Sequence, residues 1–343
     1  MKLIYSDDHR GHAGAKEMRY DQMIPMTECP ERMDLILAGL ADAGFSDVVP
    51  PEPHGFDTVH QIHDPDFVSF LERCYPLWEA EFGPGGFATA YVFGMRGMAQ
   101  VPNQSVHSML SCYTFDVCAP FVKGTWQAIC SAKDSALTGV DMIQQGEQAV
   151  FSVCRPAGHH AMKDMAGGYC YLNNAAIAAQ GHLNNGAKRV AILDIDYHHG
   201  NGTQSIFYDR GDVFYASLHC RPEEEYPFLM GYATEVGEGA GKGYNLNLPM
   251  PRGTKFDVWG PAFEHALARI QAYAPDVLVV SLGVDAFAGD PVGGFELQSN
   301  DFVTVGQALA KAGLPTHFIM EGGYELEALG RNVANVITGY DED

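Results

Sequence analysis

Asp194, Asp196, His198 and His199 stand together in one short tract, Val190-Ala-Ile-Leu-Asp-Ile-Asp-Tyr-His-His-Gly-Asn-Gly202. Carboxylates and imidazoles grouped in this way are the donors of divalent-metal sites. Asp196 and His198 lie two residues apart, so on extended backbone they point the same way, as two ligands of one ion must. A second tract, Val277-Leu-Val-Val-Ser-Leu-Gly-Val-Asp285, brings one more carboxylate to the end of an apolar run and makes Asp285 the expected third ligand. One imidazole with two carboxylates leaves a coordination position open, as catalytic zinc sites do. The oxygen-rich set also suits Fe(II), Co(II) or Mn(II). The same acids could instead be structural, capping helices or pairing with arginines.

Two further tracts carry groups able to work beside such an ion. Ala149-Val-Phe-Ser-Val-Cys154 runs into Arg155-Pro-Ala-Gly-His-His160, and Thr316-His-Phe-Ile-Met320 runs into Glu321-Gly-Gly-Tyr324. The adjacent His159 and His160 suit paired proton handling, because imidazole titrates near neutrality. Tyr324, following two glycines, can offer its hydroxyl to a developing oxyanion.

Each of these groups ends an apolar run too short for a helix, which reads as a buried strand. Charged groups there are costly unless something pairs or binds them. The carboxyl ends of parallel strands are also where open α/β sheets place ligands. Helical periodicity predicts helices over Glu31–Ala43, with Leu35, Leu37 and Leu40 on its apolar face, and over Trp126–Ile143. It predicts others from Asn174, as cap, to Gly186, over Asp257–Tyr273, and from Ser299, as cap, to Gly313. Strands alternating with helices imply an α/β fold whose parallel sheet is covered on both faces. The 343 residues fit one such domain.

Composition narrows the function classes. The net charge is −22, from 43 acidic against 21 basic residues, which argues against a nucleic-acid partner because phosphate repels such a surface. An acidic field would draw polycations or basic peptides, and would equally serve solubility alone. No stretch approaches the roughly 18 uninterrupted apolar residues of a membrane helix. The first residues turn acidic too soon for a secretory signal. The eight cysteines form no Cys-x-x-Cys and read as reduced thiols, so a cytoplasmic location is expected.

Taken together, the motifs resemble the histone deacetylase superfamily, and within it most closely the bacterial acetylpolyamine amidohydrolases. The resemblance rests on Arg155-Pro-Ala-Gly-His159-His160, Gly167-Gly-Tyr-Cys-Tyr-Leu-Asn-Asn174, Asp194-Ile-Asp-Tyr-His-His-Gly-Asn-Gly-Thr203, Ser217-Leu-His219, Gly283-Val-Asp285 and Glu321-Gly-Gly-Tyr324. It runs from Ile4-Tyr-Ser-Asp-Asp-His9 almost to the C-terminus. It implies an eight-stranded parallel sheet in an arginase-like arrangement and a zinc held by Asp196, His198 and Asp285. It further implies His160 as the general base, His159 as an electrostatic helper oriented by Asp194, and Tyr324 as the oxyanion donor. A monovalent cation, normally potassium, is implied at Asp194, the carbonyls of Asp196 and His198, Ser217 and Leu218, with a second near Phe207, Arg210 and Val213. The implied reaction is hydrolysis of an acetylated polyamine or similar small acylamine. Deacetylation of acetyl-lysine in peptides is the nearby alternative. An arginase-like ureohydrolase would want two manganese ions and further carboxylates, and a silent amine-binding sensor would not need the His159–His160–Tyr324 set.

Several positions depart from the pattern. Ala157 replaces a proline common in relatives, and Asn201 stands where some members carry an aspartate bonded to the second histidine. Where the polyamine enzymes place acids for a distant ammonium, this chain has His107 and Cys118, with Asp116 close by. Gly168, Tyr169, Tyr226 and Val292 map to the walls and rim of the substrate tunnel. The segment 83–112 has no clean period, contains Gly83-Pro-Gly-Gly86, and is rich in apolar residues including Phe87, Tyr91, Val92, Phe93, Met95 and Met98. By resemblance it is an insertion that packs two subunits into a homodimer and narrows the active-site entrance.

Overall fold

A computed structural model describes residues 1–19, 21–94, 99 and 101–341, and Met95 and Met98 lie outside them. The strands are β1 (Lys2–Ile4), β2 (Lys16–Arg19), β3 (Gln22–Pro25), β4 (Val48–Val49), β5 (Ala149–Ser152), β6 (Val190–Asp194), β7 (Val213–Cys220), β8 (Asn245–Met250), β9 (Val277–Leu282) and β10 (Thr316–Met320). Eight of them form one sheet in the order β4-β1-β5-β10-β9-β6-β7-β8, and β2 and β3 make a separate antiparallel hairpin. Every pairing in the large sheet is parallel. The expected α/β architecture is therefore observed, with the eight strands of the arginase-like arrangement.

The helices are α1 (Glu31–Asp42), α2 (Pro65–Phe82), α3 (Val106–Tyr113), α4 (Thr125–Gln144), α5 (Asn174–Asn184), α6 (Asn201–Phe207), α7 (Phe256–Tyr273), α8 (Ser299–Lys311) and α9 (Leu326–Asp341). They cover both faces of the sheet. Alternate residues of β6 show how: Ala191 and Leu193 join a core with Ile36 of α1, Trp259 and Phe263 of α7, Val305 of α8 and Val333 of α9. Val190 and Ile192 join the opposite core with Phe67 of α2, Ile129 of α4 and Ile177 of α5. A strand buried on both sides must be apolar at every position, which is why these runs lack a polar alternation.

Two helix caps differ from expectation by one residue. Asn173, not Asn174, caps α5, its side chain accepting from the Ala176 N–H. Gln298, not Ser299, caps α8 through a reciprocal box with Asp301. The segment 83–112 is also less irregular than its sequence suggests, because α3 occupies its C-terminal part.

The chain order gives the sheet its functional geometry. After β5 the polypeptide passes over two vacant positions to β6, and β9 and β10 fill that gap later. The four strands whose ends carry the candidate chemistry, β5, β10, β9 and β6, are therefore contiguous at the middle of the sheet. Their carboxyl ends open on one side.

Candidate active site

At that edge, ligand atoms of Asp196, His198 and Asp285 all lie within 4.8 Å of one another. His198 Nδ1 is 3.2 Å from Asp196 Oδ1 and 3.1 Å from Asp285 Oδ2. Neighbouring backbone makes room for this cluster only because it lacks side chains. A Cβ at Gly322 would come within 2.5 Å of both Asp196 Oδ2 and Asp285 Oδ2, and one at Gly283 within 2.2 Å of Asp196 Oδ2. Burial and the charge of Asp196 push Asp285 up to about 7. His159 and His198 outweigh burial and hold Asp196 well below the carboxylate range. Two buried carboxylates that strain to stay ionised together, with an imidazole nitrogen beside both, form a donor set that a divalent cation fits.

A second grouping of metal-type atoms, His159, Cys170 and Glu321, is equally close-set, but its donors are committed elsewhere. Glu321 Oε2 accepts from the N–H groups of Gly158 and His159 at 2.7 and 3.2 Å. His159 Nδ1 faces Asp194 Oδ2 at 3.1 Å. Burial pushes the Cys170 thiol well up.

The paired histidines sit beside the metal-type cluster in different states. Burial alone would lower His159, but the charges of Asp196 and Asp194 raise it to about 10, so it is a cation at neutral pH. Its neighbour is the opposite case. Burial, reinforced by the neighbouring charge of His159, holds His160 well below the ordinary imidazole range. His160 Nδ1 lies 2.7 Å from Asn201 Oδ1, and the Asn201 amide nitrogen donates to the His160 carbonyl. That amide oxygen can only accept, so Nδ1 carries the hydrogen and Nε2 keeps its lone pair. Asn201 thus leaves Nε2 of His160 able to accept a proton without adding charge.

Tyr324 lines a cavity of about 370 Å³ together with His160, His198, Gly168, Tyr169, Tyr226 and Val292. Asp116 stands behind this wall. Its Oδ2 accepts from the Tyr226 hydroxyl at 2.6 Å and the Gly168 N–H at 3.0 Å, and its Oδ1 from the Cys118 N–H at 2.8 Å. Gly168 and Tyr169 both take positive φ, 53° and 65°, in the turn this carboxylate grips. Burial raises Asp116.

The residues expected around a monovalent cation are brought together in part. Asp194 and Ser217 are register partners on β6 and β7, with Leu218 next along β7. Asp194 Oδ1 accepts from the Asp196 N–H, and the Ser217 hydroxyl lies 2.8 Å from His219 Nδ1. Phe207 ends α6, Val213 begins β7, and the Arg210 guanidinium between them is tied to Asp212 and Gln180.

Three residues that the sequence reading passed over shape the site from behind. Arg32 of α1 donates to the carbonyls of Gly323 and Glu321, both at 2.7 Å, and its guanidinium lies 4.7 Å from the centre of the Tyr324 ring. Glu28 pairs with both Arg32 and Arg155. Asp290 accepts from the N–H groups of Tyr324, Glu325 and Val292. Spacing could not single these out. Only the Asp290-Pro-Val-Gly-Gly294 turn signal hints at a shaped loop.

Fold and site together define a metal-dependent hydrolase of the arginase/deacetylase type. The comparisons narrow this further: the histone deacetylase domain family matches residues 26–340. Acetylpolyamine amidohydrolase 1 of Pseudomonas aeruginosa is 46% identical over 342 residues, covering 99% of each chain. The acetylpolyamine amidohydrolase of Mycoplana ramosa is likewise 46% identical, over 339 residues and 99% of each. The crystal structure of acetylpolyamine aminohydrolase from Burkholderia pseudomallei superposes with a TM-score of 0.94 at 36% identity, covering 99% of this chain and 98% of that one. The chain belongs to the histone deacetylase family.

Proposed function

We propose that the protein is a metal-dependent amidohydrolase that releases acetate from acetylated polyamines or similar small acylamines. The observation that carries this reading is the placement of a neutral base, a cationic imidazole and a tyrosine around one three-donor metal cradle. Asp196, His198 and Asp285 would hold the ion, zinc in the first instance, with Fe(II), Co(II) or Mn(II) as substitutes. When bound, it would polarise the acetyl carbonyl and lower the pKa of a water toward neutrality. His160, with its Nε2 lone pair free, takes the proton of the attacking water and returns one to the leaving amine. His159, kept cationic by Asp194 and Asp196, opposes the negative charge that develops. Tyr324 donates to the tetrahedral oxyanion, its backbone held by Asp290 and its ring by Arg32. Tyr169 and Tyr226 flank the aliphatic chain, and each buried methylene contributes about 0.8 kcal/mol.

The same reading includes a structural potassium ion at Asp194, Ser217 and Leu218, and a second near Phe207, Arg210 and Val213, stiffening the strand that bears the metal ligands. It also includes a homodimer in which segment 83–112 narrows the entrance. Support comes from the exposure of Tyr91 (72%), Val92 (50%) and Val101 (78%), large apolar side chains in that segment. Among the described residues no helix is long and apolar enough to cross a membrane; the reading places the reaction on a dissolved amine in the cytoplasm.

The test is acetate release from acetylputrescine by zinc-loaded protein, abolished by a chelator and restored by added metal. No acetate from acetylputrescine, acetylspermidine or an unfolded acetyl-lysine peptide would refute the reading. Sedimentation showing only monomer at micromolar concentration would remove the dimer.

A further inference from the structure

The mouth of the cavity carries a fixed cation that no step of the hydrolysis uses. Arg252 lines the cavity together with Glu17 and Glu225. It follows β8 in a turn that is held on both sides. The Arg252 N–H donates to Glu224 Oε2 at 2.8 Å, the Gly253 N–H to the Gly294 carbonyl at 2.7 Å, and the Glu296 N–H to the Thr254 carbonyl at 2.8 Å. The guanidinium occupies the space beside Gly294, where a Cβ would approach Nε within 2.9 Å and Nη2 within 3.2 Å. Its Nη1 lies 3.1 Å from Glu225 Oε2.

Glu225 does not use up this cation. Its carboxylate also accepts from the Tyr197 hydroxyl and the Tyr226 N–H, both at 3.0 Å, and its side chain is only 14% exposed. The Arg252 side chain is 53% exposed, and Nη1 is its one side-chain nitrogen in an ion pair or hydrogen bond among the described residues. A guanidinium offers five N–H donors in a planar fork that matches a carboxylate. With the side chain half exposed, part of that fork stays open at the entrance. Glu17, on the Tyr169 side, accepts from the hydroxyls of Thr27 and Tyr169, and a carboxylate has lone pairs enough to take an ammonium as well.

A tail ending in an ammonium alone suits Glu17 and is repelled by Arg252. A tail bearing a carboxylate beside its ammonium suits Arg252. We propose that Arg252 forms a carboxylate subsite, and that the small acylamines this protein takes best are acetylated amino acids with a free carboxylate, free N6-acetyl-lysine being the matching case. Acetyl-lysine inside a peptide has no such carboxylate. The proposal rests on the hydrolase reading above and specifies the substrate of the same site.

N6-acetyl-lysine and N-acetylcadaverine make a matched pair, because they share the acetamide, the methylene spacer and the ammonium and differ by one carboxylate. With zinc-loaded protein, kcat/KM should favour acetyl-lysine by about ten- to hundredfold, the usual worth of a charge-assisted bond. Arg252→Gln should collapse that ratio at least tenfold through KM for acetyl-lysine rather than through kcat, and Arg252→Glu should invert it. A wild-type preference for acetylcadaverine, or a ratio unmoved by Arg252→Gln in a variant that melts like the parent, overturns the proposal. Absence of turnover for both compounds would remove the hydrolase reading instead. Calorimetric binding of the same pair then decides the subsite: carboxylate-dependent binding lost in Arg252→Gln supports it, and equal binding of the two compounds overturns it.

Discussion

Replacing Tyr226 by phenylalanine deletes one hydroxyl from the cavity wall and leaves its packing intact. That hydroxyl donates to Asp116 Oδ2 at 2.6 Å, and the same oxygen accepts the Gly168 N–H at 3.0 Å. Asp116 therefore ties the Tyr226 wall to the Gly168–Tyr169 wall. A hydrogen bond to a charged partner contributes about 1.5–3 kcal/mol. Asp116 keeps two of its three donors in the variant, so we expect the lower part of that range, about 1.5–2 kcal/mol. If the whole loss appeared in substrate binding, KM would rise about 10–30-fold. Part of it will instead appear as reduced stability. The change should fall on KM more than kcat, because the Asn201 bond to His160 and the edge-to-face contact of the residue 226 ring with His160 both survive it. Asp116→Asn should be worse than Tyr226→Phe. An amide that keeps its oxygen on the Cys118 N–H sets its own N–H groups against the Gly168 N–H, and an unpaired buried donor costs about 1–3 kcal/mol. Initial rates with acetylputrescine and urea midpoints on the zinc-loaded variants test this. Unchanged KM and midpoint in Tyr226→Phe, or a fall in kcat at constant KM, would show that the walls are not held in this way.

Tyr324→Phe should lower kcat by about 10²–10³, the value of one oxyanion donor, and a rate within a few-fold of wild type would take Tyr324 out of the reaction. Arg32→Lys keeps the charge but not the fork that reaches the carbonyls of Glu321 and Gly323 and the Glu28 carboxylate. We expect about 1.5–3 kcal/mol of destabilisation with at least a tenfold loss of kcat; full kcat in a measurably destabilised variant would separate Arg32 from the placement of Tyr324. His63 should make stability pH-dependent. The Asn173 N–H donates to its Nε2 at 3.0 Å, which fixes the ring as neutral, and burial lowers its pKa from 6.5 to about 4. Below pH 6.5 the unfolded chain binds the proton more readily, so stability is lost as pH falls from about 6.5 to about 4. Between pH 7 and 5 this amounts to about 2 kcal/mol. His63→Gln should show a shallower decline in urea midpoint over that interval, and an identical slope would contradict the assignment.

The amino-acid sequence by itself determined the elements that carry the site and the identity of the atoms in it. Strands buried on both faces must be written as unbroken apolar runs, so β5, β6, β9 and β10 announce themselves, and so do polar groups at their ends. Asp196 and His198 were legible as a pair from their donor types and close spacing, but β6 ends at Asp194, so the bend after the strand, not extended backbone, sets them side by side. Asp285 was legible as a partner only in kind, since nothing local says which strand lies beside β6. Long-range pairing decided that, by inserting β9 and β10 between β5 and β6 and so gathering four distant strand ends at one edge. Helix α2 escaped notice because Pro76 interrupts its pattern, although Asp64 and Pro65 start it well. Likewise, the part of Asp116 depends on Tyr226 being 110 residues away in sequence and 2.6 Å away in space. Arg32, Glu28 and Asp290 belong to the same class. Their partners are backbone groups and charges of remote segments, and burial without water is what makes those partnerships obligatory. Donor type and strand periodicity are local properties, whereas desolvation, protonation state and the meeting of cavity walls exist only once the chain has folded.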